Sequence, residues 1–97
     1  MSRAACVIGH ITVKDPARWA DYRSRVPATL APFGAELLFR GARTDQLAGT
    51  HGHRDTVVIR FADRDRALAW FASAAYQALI PLRESAAHVD LMVFESE

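Results

Sequence analysis

His10, Asp90 and Arg60 are the side chains of this chain best equipped for acid–base chemistry. An imidazole titrates near neutral pH, a carboxylate beside it can orient the ring and stabilise its charge, and a guanidinium can hold an anionic or enolate-like group. Asp90 and His10 would then supply the base and Arg60 the grip on the anion. The same charges admit a structural reading. Opposite charges paired across strands stabilise a sheet rim by a few tenths to about one kcal/mol with no chemistry at all.

A second group would contact a ligand rather than transform it. Trp19, Tyr22, Trp70 and Tyr76 fall in helix-forming segments. Aromatics there are usually core, yet Tyr and Trp offer a polar handle to a small molecule. Tyr22, Trp70, Trp19 and Arg40 are the expected ligand-binding residues. His51 and His53 could place two imidazoles on one metal, but no Cys or carboxylate stands at a matching spacing, and no metal site is expected. The sequence has no Gly-rich phosphate loop, nucleophile elbow or dinucleotide fingerprint, and no cofactor is expected. Cys6 lies in an apolar run, where a free Cys behaves as a small hydrophobe.

The elements that must position these residues follow from periodicity and punctuation. The β-branched run from Ala5 to Val13 predicts a strand. Asp15 and Pro16 suit the N-cap and first turn of a helix whose apolar face carries Trp19, Tyr22, Val26, Leu30 and Phe33. Pro27 predicts a kink or restart, and Pro32 with Gly34 the end. A second strand is expected from Ala35 to Arg40 and a third from Thr56 to Phe61, joined by a long loop containing Gly41, Gly49 and Gly52. Asp63 caps a second helix that turns Ala67, Leu68 and Phe71 to the core, with restarts at Ser73 and Pro81. Val89 to Phe94 is the last strand. The order β-α-β-β-α-β predicts one α+β domain over residues 1–97, ferredoxin-like, with a four-stranded antiparallel sheet in the order 4-1-3-2.

Taken as parallel neighbours, the first and third strands place His10 and Arg60, both late in their strands, at one end of the sheet. The fourth strand then brings Asp90 to His10, and the second brings Glu36 to Arg60. The expected row is Asp90, His10, Arg60, Glu36.

Alternation along the strands assigns Val7, Ile11, Val13, Leu37, Phe39, Val57, Ile59, Phe61, Val89, Leu91 and Val93 to the face under the helices. The opposite face contains Cys6, Ile8, Leu38, Val58, Met92 and Phe94, too apolar for water. A patch of this kind marks an interaction surface, and a two-fold dimer packing sheet against sheet is the simplest closed solution. The chain is therefore expected to form a homodimer, a dimeric α+β barrel.

Twelve Lys and Arg against eleven Asp and Glu give a net charge of +1, with no block of like charge to attract nucleic acid. No apolar stretch approaches the roughly 20 residues of a membrane span, and a cytoplasmic location is expected. The leading expectation is a protein that binds a small organic molecule in a helix–sheet pocket. It could act on that molecule as a cofactor-independent enzyme of monooxygenase or isomerase type. The alternative is a non-catalytic dimerisation or ligand-carrier module.

Across nearly the whole chain the sequence resembles the small proteins grouped as domain of unknown function 1330, within the dimeric α+β barrel superfamily. The resemblance is carried by Asp15-Pro16, Tyr22, Pro27, the Gly34 turn, Arg40-Gly41, Val57-Val58-Ile59, Trp70-Phe71 with Ser73, and Tyr76-Gln77 with Leu79 and Arg83. It implies a homodimer and a barrel, but no reaction. The wider superfamily that the chain looks like includes cofactor-independent monooxygenases, muconolactone isomerases and haem-dependent chlorite-degrading enzymes, an analogy of fold alone. The chain departs from the family pattern at His10, where Arg is common, and at Arg60, where an acid usually precedes the strand-ending Phe. Ala48 and His51 replace an acid and a Trp.

Overall fold

The computed structural model describes residues 3–97. Four strands, β1 (Ala5–Val13), β2 (Glu36–Ala42), β3 (Asp55–Phe61) and β4 (Ala87–Glu95), form one sheet in the order β2-β3-β1-β4. The helices α1 (Pro16–Leu30), α2 (Arg64–Ala72), α3 (Ala74–Gln77) and α4 (Ile80–Ala86) cover one of its faces. This is the expected ferredoxin-like α+β arrangement. One expectation within it fails. β1 and β3 are antiparallel, with Val7 opposite Ile59. The α1 crossover returns β2 parallel to β1, and the β2–β3 hairpin then reverses β3, so β3 must enter the slot beside β1 running the other way.

The helix boundaries have local causes. The Asp15 carboxylate accepts from the backbone N–H groups of Ala17 and Arg18, both at 3.1 Å, and Pro16 occupies the first turn. Pro27 does not restart the helix, which runs unbroken to Leu30. Its ring lies on the exposed side, where water can hydrate the Arg23 carbonyl that loses its partner. A 3-10 turn at Ala31–Phe33 ends at Gly34, whose φ of 62° a side chain would resist. Ser73 separates α2 from α3 by donating its hydroxyl to the Trp70 carbonyl at 2.6 Å and accepting from the Tyr76 N–H at 3.3 Å.

The core is centred on Phe61, Trp70 and Tyr76, all fully buried. The Trp70 ring lies 5.7 Å from Phe61 and 4.2 Å from Tyr76. Its indole N–H donates to Thr29 Oγ1 at 3.0 Å, so the largest core residue leaves no polar atom unpaired. On α2 the buried residues are Ala67 and Trp70, whereas Leu68 and Phe71, expected in the core, stay partly exposed.

β2 differs from simple alternation. Leu37 pairs with Ile59 but Phe39 pairs with Val58, so Leu38 is the extra residue of a β-bulge. Beyond the bulge the faces exchange: Phe39, expected under the helices, lies on the open face at 57% exposure, and Arg40 turns to the helix side opposite Val57. Leu37 keeps the expected face, yet at the sheet edge it is still 48% exposed.

Candidate functional site

The helix side of the sheet holds a cleft between α1 and the strands β1 and β3. Its inner part, about 40 Å³, is walled by Trp19, Tyr22, Val26, Val57, Trp70 and Leu91, with Arg23 and Arg40 at its edge. Beside it, sharing Ile11, Trp19, Arg23 and Arg40 as lining, is a recess of about 270 Å³ that Asp55 also bounds. All four residues expected to contact a ligand, Tyr22, Trp70, Trp19 and Arg40, thus line one cavity. Three come from the helical face that buries them. The fourth is there because of the bulge, since unbroken alternation would put Arg40 on the other side of the sheet. Gly9 keeps the floor open: a Cβ there would meet Leu91 Cδ2 at 2.9 Å and Val57 Cγ1 at 3.0 Å.

A hydrogen-bond chain stands behind the wall. Arg83 Nη1 donates to the Tyr76 hydroxyl at 2.9 Å, and the Tyr76 and Tyr22 hydroxyls are 2.8 Å apart. Two phenolic hydrogens are present, one links the two oxygens, and the other has no acceptor among the described residues. Tyr76 is fully buried and its oxygen already accepts from Arg83. The lower-cost arrangement has Tyr76 donating to Tyr22, which leaves the spare O–H on Tyr22 at the cleft wall. Burial first, and then the adjacent Tyr76, push the Tyr22 pKa far above the ordinary phenol value, so it stays a donor. For Arg40, burial and then the charge of Arg23 pull the pKa down. Arg83 and Arg23 were not among the expected site residues, and Tyr76, grouped with the helix aromatics, stands behind the wall rather than on it. Arg23 could have been found as the residue next to Tyr22 on the helix, one turn from Trp19.

The expected charge row does not form. His10 faces Asp90 and Thr56 across the ladder, while Arg60 faces Cys6 and Glu36. His10 and Arg60 sit at opposite ends of the sheet, four residues or about 13 Å apart along the strands. The cause is the antiparallel direction of β3. Nor do His10 and Asp90 bond to each other. Asp90 Oδ2 lies 2.6 Å from His53 Nε2, and His10 Nδ1 lies 3.1 Å from Thr56 Oγ1.

His53 arrives from the β2–β3 loop, whose return is tied down by Arg43, donating to the His51 and His53 carbonyls at 3.3 and 3.2 Å. The rings of His10, His51 and His53 therefore gather, with His10 4.8 Å from His51 and 6.4 Å from His53. Their nitrogens are largely committed. His53 bonds Asp90 and Thr12, and His51 Nδ1 accepts from the His53 N–H, which puts the proton of a neutral His51 on Nε2. This cluster and the cleft lie on opposite faces of the sheet.

The sheet order and the two crossovers define the ferredoxin-like α+β class. Residues 4–96 match the family described as Domain of unknown function (DUF1330), and the chain belongs to that family. Among curated proteins, none matches this chain. Solved structures share its fold at low identity. A dimeric ferredoxin-like protein of unknown function from Jannaschia sp. CCS1 is 9% identical, with TM-score 0.76, covering 96% of this chain and 99% of that one. SnoaB, a cofactor-independent oxygenase from Streptomyces nogalater, is 11% identical with TM-score 0.72, covering 99% and 95%. The hydroxynitrile lyase of Passiflora edulis is 10% identical with TM-score 0.76, covering 100% and 96%. The family carries no assigned activity, and among the described residues no helix is long and apolar enough to cross a membrane.

Proposed function

We propose that this protein is a homodimer, joined through the open face of its sheet, that binds a small organic molecule in the cleft between α1 and the sheet. The observation that carries the reading is the wall of that cleft: an apolar, aromatic interior backed by a Tyr22–Tyr76 hydroxyl pair with one hydrogen more than it has acceptors. A pocket of this composition, mostly apolar with a few convergent polar groups, is what a small-molecule site requires. Three of the neighbouring folds bear on the reading only by analogy, one being dimeric, one an oxygenase and one a lyase.

His10, Asp90 and Arg60 take no part in the cleft on this reading, because they lie on the other face of the sheet. The Tyr22 hydroxyl offers a bound molecule there a hydrogen bond rather than a proton, since burial holds its pKa well above the ordinary phenol value. The cleft contains both tryptophans of the chain, so a bound compound reports itself through their fluorescence. Screening small aromatic and aliphatic compounds against wild type, Val57→Phe and His10→Ala tests the proposal. Binding that Val57→Phe removes and His10→Ala leaves intact supports it. Binding indifferent to Val57→Phe but lost with His10→Ala would move the site to the open face.

A further inference from the structure

We infer that the molecule the cleft accepts is a carboxylate, its anionic end held between Arg23 and Arg40 and its apolar end directed inward toward Trp70. This rests on the cleft being a ligand site and adds the charge class of what enters it.

Arg23 comes from α1 and Arg40 from β2, and both line the same recess, near enough for the charge of Arg23 to act on Arg40. Among the described residues neither has a carboxylate within 4.0 Å, although five ion pairs form elsewhere. Asp55 lines the recess without closing on either. Two cations brought together without a counter-charge repel, and the lowered proton affinity of Arg40 reflects burial together with that repulsion. A bound anion would relieve it. Arg suits this task because its planar fork matches the two oxygens of a carboxylate, and two forks in one recess can each take one edge.

The interior decides the rest of the ligand. Its inner part has room for about 40 Å³ and is walled by side chains such as Val26, Val57 and Trp70, so the group attached to the carboxylate must be slender and apolar. A highly charged anion with polar groups at both ends would leave one end unsolvated among apolar walls. A monocarboxylate with a short apolar chain meets both requirements, a ring having to stay in the wider recess, and an oxygen acceptor on the ligand could take the spare Tyr22 hydrogen.

Tryptophan fluorescence titrations with benzoate and hexanoate, each against its neutral amide, test the inference. The acids are expected to bind at least ten-fold more tightly than the amides, and more weakly as sodium chloride is raised. Arg23→Gln and Arg40→Gln should each weaken acid binding about ten-fold while leaving amide binding unchanged, with Arg40→Lys in between because it keeps charge but not the fork. Arg23 is exposed and Arg40 only partly covered, and melting curves confirm that the variants fold. Acid and amide binding alike, or acid binding insensitive to both substitutions, would overturn the carboxylate assignment and leave the cleft reading standing. If Val57→Phe leaves every titration unchanged, or if no acid and no amide binds wild type, the cleft reading fails and this inference falls with it.

Discussion

Tyr22 combines a near-complete burial with a hydroxyl that has only one partner, and its behaviour in alkali follows. The ordinary phenol value is 10.0, and burial with the Tyr76 neighbour raises it in the folded chain. The raised folded value means that the native state holds this proton more tightly than the unfolded chain does. The contribution is therefore fully present below pH 10 and is lost as the unfolded phenol ionises above it, at up to about 1.4 kcal/mol per pH unit for one proton. Urea unfolding at pH 9, 10 and 11 should show stability falling across that window, and Tyr22→Phe should remove one proton's worth of the slope. An unchanged slope in the variant would show that the Tyr22 phenol ionises as freely in the folded chain as in the unfolded one. At neutral pH the same substitution should cost about 1 kcal/mol, since it deletes one buried hydrogen bond. None of this pairing was legible in the sequence. Tyr22 and Tyr76 are 54 residues apart, and only the packing of α1 against α3 brings their hydroxyls together.

At the scale of elements, the periodic segments were readable and the irregular ones were not. Asp15, Asp63 and Gly34 mark the ends of helices by local chemistry, and local chemistry is what a sequence displays. The bulge in β2 gave no signal, because Leu37, Leu38 and Phe39 are all apolar and any register satisfies them equally. That single extra residue moves Arg40 into the cleft. The β2–β3 loop hid its histidines for a different reason: the contact between His53 and Asp90 depends on Arg43 bending the loop back, which no spacing encodes. Pro27 misled in the other direction, by a real local cost that the fold tolerates. A proline inside a helix is roughly 3 kcal/mol worse than alanine, offset in part by its stiffening of the unfolded chain. Pro27→Ala restores the N–H that the Arg23 carbonyl lacks and should raise stability by about 1 to 2 kcal/mol, read from thermal or urea unfolding. A variant no more stable than wild type would mean that the ring, not the helix, matters at that position.

The whole molecule is a slab. Its Cα extents are 37 × 33 × 16 Å, and its radius of gyration of 13.6 Å exceeds the roughly 12.5 Å expected of a compact chain this long. One layer of helices covers one face of the sheet, and among the described residues nothing covers the other. Across that open face Phe39, Val58, Ile8 and Met92 stand in one register row spanning all four strands. The row of Glu36, Arg60, Cys6 and Phe94 flanks it on one side, and that of Gly41, Thr56, His10 and Asp90 on the other. An apolar row flanked on both sides by rows that carry charged or polar groups is the pattern of an interface, and a second copy set face to face would cover it at the roughly 10 Å spacing of packed sheets. Met92, 40% exposed in the single chain, tests this, because a charge there costs little in the monomer and much in the dimer. Sedimentation should find wild type near twice the mass of one chain, and Met92→Lys near one. Since the cleft lies on the other face, the dissociated variant should retain wild-type affinity for whatever the cleft binds. Wild type sedimenting as a monomer would remove the dimer, whereas a monomeric variant that also loses binding would show that the partner subunit shapes the cleft from across the sheet.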